Sequence, residues 1–414
     1  LDRLGNRLAA HLEGESQRFE LFALRDPTLN AFALVGGYLG VHTGLILAAE
    51  SESELASVLA HEISHVTQRH QARMMNKAGQ GQLATLASLA IAILAARSNP
   101  DLAMGAAVTG QAASIQNQLN YSRDFEREAD RIGLNLLERA GFDVRGMEAF
   151  FGRMQKYGQL YDNNAPGYLR THPLTTERLA DVGNRIQDKP YRQVPDSLEF
   201  QFVRAKLRAG EGDPRDAVTY FKAQLKERTF AGSESAMRYG LSRAYLRAGD
   251  PANAENELAA VRRLKAGLSM VDTLAAEIRA RQGDAAGAAE ILRAAYARNP
   301  RERAVVHALI DNLLTLRQPR EALKVASDDL LAYPDDALTH ALQAKTYALL
   351  GQRLQQHRAQ AEAYALDGRL ADAIEQLQLA QQAGDGGFYE QSQVDVRLRE
   401  FRGRLEEEKK LLRR

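Results

Sequence analysis

The chain has 414 residues, 45% apolar and 26% charged, enough for two to three domains of about 100–200 residues each and for a sizeable core. Lys and Arg number 54 against 53 Asp and Glu, a formal net charge of +1, so no global field recruits nucleic acid or acidic lipid. Cysteine is absent, which excludes a thiol nucleophile, a disulfide scaffold and any Cys-ligated zinc.

No apolar run reaches the ~20 residues that a spanning helix needs. The sequence begins at Leu1 rather than Met, compatible with a trimmed leader, and no signal peptide is visible within it. Residues Leu4 to Leu12 read as a helix. Alternating segments follow at Phe19 to Leu24 and Ala31 to Leu34. Gly36-Gly37 separates these from Tyr38 to Val41, which predicts a small sheet with a glycine turn. From Glu52 the period becomes helical through Leu55, Val58, Leu59, Ile63 and Val66, an amphipathic pattern that Ser51 or Ser53 can cap.

Two Ala-rich apolar stretches lie within 83–113. They are too short to span a bilayer. They read either as a helical hairpin over the active-site groove or as a flap in peripheral contact with a membrane. A helix is predicted from Ser122 to Arg139, ending at Gly141. Gly158, Asn163, Asn164, Pro166, Gly167 and Pro173 give Tyr157 to Pro173 a loop composition. Pro190 and Pro195 interrupt the helical pattern and divide residues 1–190 from residues 196–414.

The second part repeats. Turn signals begin at Gly212, Gly249, Gly283, Arg317 and Gly351, spaced by 37, 34, 34 and 34 residues. Five residues after the first four stands Ala217, Ala254, Ala288 or Ala322; the fifth has Gln356, and Gly368 restores the pattern with Ala373. A 34-residue helix-turn-helix period with a small residue at the helix crossing resembles tetratricopeptide repeats. Such hairpins bury their faces only by stacking, which predicts an all-α solenoid with a concave groove. The charged tail Glu406 to Arg414 reads as a solvated helix end.

The sharpest chemical signal is His61-Glu62-Ile63-Ser64-His65. On a helix, i and i+4 differ by about 40° around the axis, so both imidazoles project from one face, as two ligands of one tetrahedral zinc require. Glu62 lies about 100° around, beside the metal, where it can accept a proton. Chance predicts on the order of 0.01 such pentads in a chain of this composition. A catalytic zinc needs a third protein ligand. His70 is wrongly phased, five residues after His65 and about 140° off that face, and Gln71 stands where an extended motif would place a third histidine. Glu126-Arg127-Glu128-Ala129-Asp130 offers the alternative. Glu126 and Asp130 share a helix face, with Glu128 roughly opposite. Glu126 would ligate, and Asp130 would hold the second nitrogen of a ligating histidine. Small Ala129 would allow close helix approach.

Ala31 to Tyr38, the pentad, Glu126 to Asp130, and Thr171-His172-Pro173 with Arg178 together resemble the gluzincin metallopeptidases related to HtpX and to the prenyl-protein-processing proteases. With the repeat array, nearly the whole chain is similar to the BepA-like periplasmic branch of that family. The resemblance implies an α+β zincin-like domain in 1–190, mostly helical with a small sheet, followed by the repeat solenoid in 196–414. It implies one zinc held by His61, His65 and Glu126, with Glu62 as general base and Asp130 behind the ligands. His172 then either stabilises the tetrahedral oxyanion or caps the zinc as a fourth ligand and shuts the site. Arg178 anchors the loop, binds a product carboxylate, or is an ordinary helix-surface arginine. The strand Tyr38 to Val41 is expected as an edge that holds substrate by strand addition.

The function implied is a periplasmic zinc endopeptidase with chaperone-like activity, acting in outer-membrane protein assembly and quality control. Its expected partners are unfolded or stalled outer-membrane proteins and the assembly machinery, the latter through the repeat groove, with no nucleic acid. The alternatives are a chaperone or scaffold with a largely regulatory zinc site, and a repeat adaptor with a structural zinc. The last is weaker, because structural sites close with four ligands and lack an adjacent base.

Overall fold

The computed structural model describes the chain except residues 14–16, 79–122, 161–165, 228–232, 265–267 and 413–414. The stretch at 83–113 therefore lies outside the described residues. Two compact units emerge, one holding the described residues up to Leu207, the other those from Arg208 on. Among the described residues no helix is long and apolar enough to cross a membrane.

The first unit opens with α1 (Asp2–Ala9), earlier by a few residues than the pattern predicts. Strands β1 (Glu20–Leu24), β2 (Ala31–Leu34) and β3 (Tyr38–His42) follow. The sheet order is β1-β3-β2, with β1 parallel and β2 antiparallel to β3. The expected edge at Tyr38 to Val41 is thus the central strand. Its Tyr38 pairs with Glu20 on one side and Leu34 on the other. The glycine turn sets only the β2–β3 hairpin; the parallel pairing to β1 comes from a distant segment that local pattern does not reveal. Among the described residues the sheet edges are β1 and β2.

Helix α2 (Thr43–Ala48) leads into α3 (Glu52–Thr67), whose first turn is capped by Ser51 Oγ accepting from Glu54 N at 3.2 Å. A reciprocal clasp ties this end to 196–197. Glu52 N donates to Asp196 Oδ1 at 2.7 Å, and Ser197 N and Oγ donate to the Glu52 carboxylate at 2.8 Å each. Every residue of α3 from Ser53 to His65 is buried. The helix is therefore a central element, where the sequence pattern predicts an amphipathic one. Its polar stripe faces other buried polar groups instead of water.

Around α3 pack α1, β2, α5 (Arg123–Arg139) and α6 (Arg145–Leu160), with α4 (His70–Ala78) next in the chain. Within the expected loop lies a short helix, α7 (Gly167–Thr171), and α8 (Thr176–Gln187) closes the set. Helix α9 (Leu198–Gly210) brings Phe200, Val203 and Leu207 onto this same core.

The α3–α5 crossing is unusually close. Ala129 is fully buried, and a Cβ on Gly133 would lie 3.1 Å from His61 N and 3.2 Å from Ala60 C. Two small residues one turn apart thus let the backbones approach, as Ala129 alone predicts only in part.

The second unit is all helix: α10 (Pro214–Glu227), α11 (Glu234–Arg247), α12 (Pro251–Arg263), α13 (Ser269–Arg281), α14 (Ala285–Arg298), α15 (Arg303–Thr315), α16 (Pro319–Ala332), α17 (Ala337–Leu349), α18 (Arg353–Leu366), α19 (Leu370–Gln382) and α20 (Phe388–Leu412). Consecutive helices pack as hairpins, and α11, α13 and α15 also touch the next helix but one, which stacks successive repeats. The repeat-phase alanines 217, 254, 288, 322 and 373 are all buried at these crossings. Gly212, Gly249, Gly283, Gly351 and Gly368 all adopt positive φ, and Arg317 takes the same conformation at φ 54°. The turn geometry is thus imposed by the repeat even where glycine is missing.

These contacts give opposite signs for two glycines. Gly133→Val is expected to lower stability by about 1–3 kcal/mol through overpacking against α3 backbone. Gly152→Ala, mid-helix with nothing within 4 Å of the added Cβ, should raise it by up to about 1 kcal/mol. Urea unfolding of both variants of the full chain measures the contrast.

Candidate metal centre

Helix α3 projects His61 and His65 to one side, their Nε2 atoms 3.0 Å apart. Helix α5 brings Glu126 against them. Its Oε2 is 3.5 Å from His61 Nε2, and its Oε1 is 3.4 Å from His65 Nε2. From the segment after α7, His172 sets Nδ1 3.3 Å from His61 Nε2 and 3.1 Å from Glu126 Oε1, while its Nε2 is 3.3 Å from Glu62 Oε1. Donor atoms of His61, His65, Glu126 and His172 all lie within 4.8 Å of one another, and all four residues are buried.

This arrangement fits a metal ion. Ligands at ~2.0–2.1 Å around a tetrahedral zinc stand ~3.3–3.4 Å apart, close to the separations found. Charge gives a second argument. Glu62, Glu126 and Asp130 are buried with one buried guanidinium, that of Arg178. Two negative charges are left over, and burying them uncompensated is costly. A divalent cation would supply the balance. Neither Glu62 oxygen makes a hydrogen bond of good geometry among the described residues; His172 Nε2 lies 3.3 Å from its Oε1. Without cysteine, an imidazole and carboxylate donor set suits zinc among the common metals.

Electrostatics follow from the same burial. Desolvation disfavours a charged His61, yet the facing carboxylates of Asp130 and Glu126 outweigh it and push its pKa up to about 9. Burial holds His65 well below the ordinary imidazole value. Burial would raise Glu126, but the His172, His61 and His65 rings hold it well below the carboxylate range. Asp130 is likewise drawn down against its burial, chiefly by Arg178.

Asp130 stands where the helix phase predicts, Oδ1 3.0 Å from His61 Nδ1. Arg178 is no surface arginine. Its Nε and Nη2 donate to the two Asp130 oxygens at 2.7 and 2.8 Å, Nη1 lies 2.8 Å from Glu126 Oε2, and Nη1 also donates to Pro173 O at 2.8 Å. It therefore braces both carboxylates and the backbone beside His172. Thr175 Oγ1 caps α8 by accepting from Arg178 N at 3.3 Å, which fixes the start of that helix.

One residue at the site, Tyr168, escaped the sequence reading, and another, His70, was set aside there as a ligand. Tyr168 is buried beside His172, ring centroids 4.9 Å apart, and its hydroxyl has no hydrogen-bond partner among the described residues. Burial, reinforced by the Glu62 charge, pushes its phenol well up. His70 sits against the site despite its unfavourable phase. Helix α3 ends at Thr67, Arg69 adopts φ 53°, and His70 opens α4. That break re-aims the ring, placing its Nδ1 2.9 Å from His65 Nδ1. A left-handed residue after a helix is the only local signal for such a turn, and arginine does not advertise it.

Comparison with known proteins agrees with this picture. Peptidase family M48 matches residues 1–186, and a tetratricopeptide repeat matches residues 279–346. A putative beta-barrel assembly-enhancing protease of Vibrio cholerae serotype O1 is 40% identical over 247 residues, 59% of this chain and 51% of that relative's length. The beta-barrel assembly-enhancing protease of Escherichia coli K12 is 32% identical over 403 residues, 97% of this chain and 82% of the relative. The mitochondrial metalloendopeptidase OMA1 of Arabidopsis thaliana is 32% identical over 177 residues, 43% of this chain and 33% of the relative. On the near full-length likeness and on the match of its first unit, the chain belongs to peptidase family M48, as a metallopeptidase domain followed by tetratricopeptide repeats.

Proposed function

We propose that the chain is a periplasmic zinc endopeptidase that acts in assembly and quality control of outer-membrane proteins and is held at rest by His172. The observation that carries the enzymatic part is the convergence of His61, His65 and Glu126 beside a buried Glu62. When bound, zinc supplies Lewis-acid chemistry, acidifying water and polarising a peptide carbonyl. The chain's own residues do the rest. His61, His65 and Glu126 hold the metal. Asp130 and Arg178 fix the His61 ring and the Glu126 carboxylate. Glu62 takes the proton of the attacking water and returns it to the leaving amine.

His172 stands between the base and the ligands, facing Glu62 through one nitrogen and Glu126 through the other. Its segment is pinned: Tyr168 N donates to Leu29 O at 3.0 Å, His172 N to Tyr168 O at 2.8 Å, and Arg178 to Pro173 O. This placement supports the capping role over an oxyanion role, since the imidazole fills the space that a substrate water needs.

The repeat solenoid offers a surface for unfolded or stalled outer-membrane proteins and for the assembly machinery, consistent with the names of the bacterial relatives. The same His172 placement favours a second reading, in which client binding dominates and proteolysis is restrained.

Glu62→Gln should keep stoichiometric zinc yet lose cleavage of an unfolded outer-membrane protein; retained cleavage contradicts the base assignment. If that variant still restores outer-membrane integrity in cells lacking the protein, the chaperone reading gains. His172→Ala should raise cleavage several-fold. A loss of about 10²–10³-fold in kcat would instead mark His172 as an oxyanion donor.

A further inference from the structure

We infer that His70 is a positioning residue for the second imidazole ligand, the middle of a His65–His70–Glu128 chain that sets the tautomer of His65. The inference rests on the metal site proposed above. To ligate through Nε2, neutral His65 must carry its proton on Nδ1. That Nδ1 lies 2.9 Å from His70 Nδ1. Two imidazole nitrogens at that distance need one donor and one acceptor, so His70 Nδ1 is the acceptor. His70 then carries its proton on Nε2, which lies 3.2 Å from Glu128 Oε2. Arg73 Nη1 donates to that same oxygen at 2.9 Å and keeps it anionic. Every proton in the chain has one consistent place.

The two ligand histidines are thus held differently. His61 is backed directly by the buried Asp130 carboxylate, whereas His65 is backed by a neutral ring that passes the contact on to a half-exposed Glu128. The left-handed Arg69 and the stacking of His70 on Phe125, centroids 4.6 Å apart with planes at 14°, hold the middle ring in place. A core histidine kept for packing alone would have no need of the Glu128 and Arg73 pair at its far nitrogen.

The test measures zinc affinity of the metal-free full chain by chelator competition. His70→Phe keeps a ring on Phe125 and removes the acceptor; it should weaken zinc about 10–100-fold. His70→Asn returns an acceptor near the Nδ1 position and should recover to within about threefold of the parent. Glu128→Leu, on a half-exposed site, should weaken zinc several-fold. The inference is overturned if a folded His70→Phe binds as tightly as the parent, or if His70→Asn loses as much as His70→Phe. Should His70→Phe fail to fold, unchanged affinity in Glu128→Leu overturns it equally. Ring 15N shifts of the zinc-loaded parent give a readout that packing does not move: His70 Nδ1 must be unprotonated, and a protonated Nδ1 sinks the assignment. A parent chain that binds no zinc fails the metal site itself, a different result from a parent that binds while the variants are unaffected.

Discussion

Three carboxylates taken out of water with a single guanidinium among them constrain everything in the first unit. Glu62, Glu126 and Asp130 are supplied by two helices, α3 and α5, and Arg178 arrives from a third. Such a cluster is tolerable only if cation charge is delivered to it and every remaining oxygen is accounted for. The facing carboxylates of Asp130 and Glu126 accordingly push the His61 pKa up against its burial. A divalent ion would supply that charge with fixed geometry. The close α3–α5 crossing at Ala129 and Gly133 is what lets carboxylates on one helix meet imidazoles on the other. Burial of α3 on every side then denies water to the cluster and keeps its interactions strong.

Periodicity made much of this legible. His61 and His65 share a face by i, i+4 spacing, Glu126 and Asp130 do likewise, and the structure brings both pairs together. The repeat unit was readable because turn and alanine recur in phase, strongly enough that Arg317 adopts a glycine-like φ. Where the reading fell short, the missing information was non-local or broke the assumed period. The central place of β3 depends on parallel pairing with a segment across the chain. His70 was discounted by a helix phase that stops applying once the chain turns at Arg69. Arg178 stayed open between loop anchor, product-carboxylate ligand and surface residue because its partners, Asp130 and Glu126, lie 48 and 52 positions away in sequence.

Support for the site is layered. His61 leans on Asp130, Asp130 and Glu126 lean on Arg178, and Arg178 also grips the backbone at Pro173 next to His172. Geometry at the candidate metal site and the position of His172 therefore share a brace. Any opening of the His172 segment must either break the Pro173 contact or shift the arginine that orders two carboxylates. The repeat unit, by contrast, is held by its own stacked hairpins and buried alanines, an architecture suited to presenting surface without disturbing the chemistry.

Zinc-edge X-ray absorption on the purified full chain tests the central claim most directly. The account predicts one zinc per chain in an all nitrogen and oxygen shell at ~2.0–2.1 Å, with multiple-scattering features of two or three imidazoles. Substoichiometric zinc, or a shell without imidazole scattering, would contradict it.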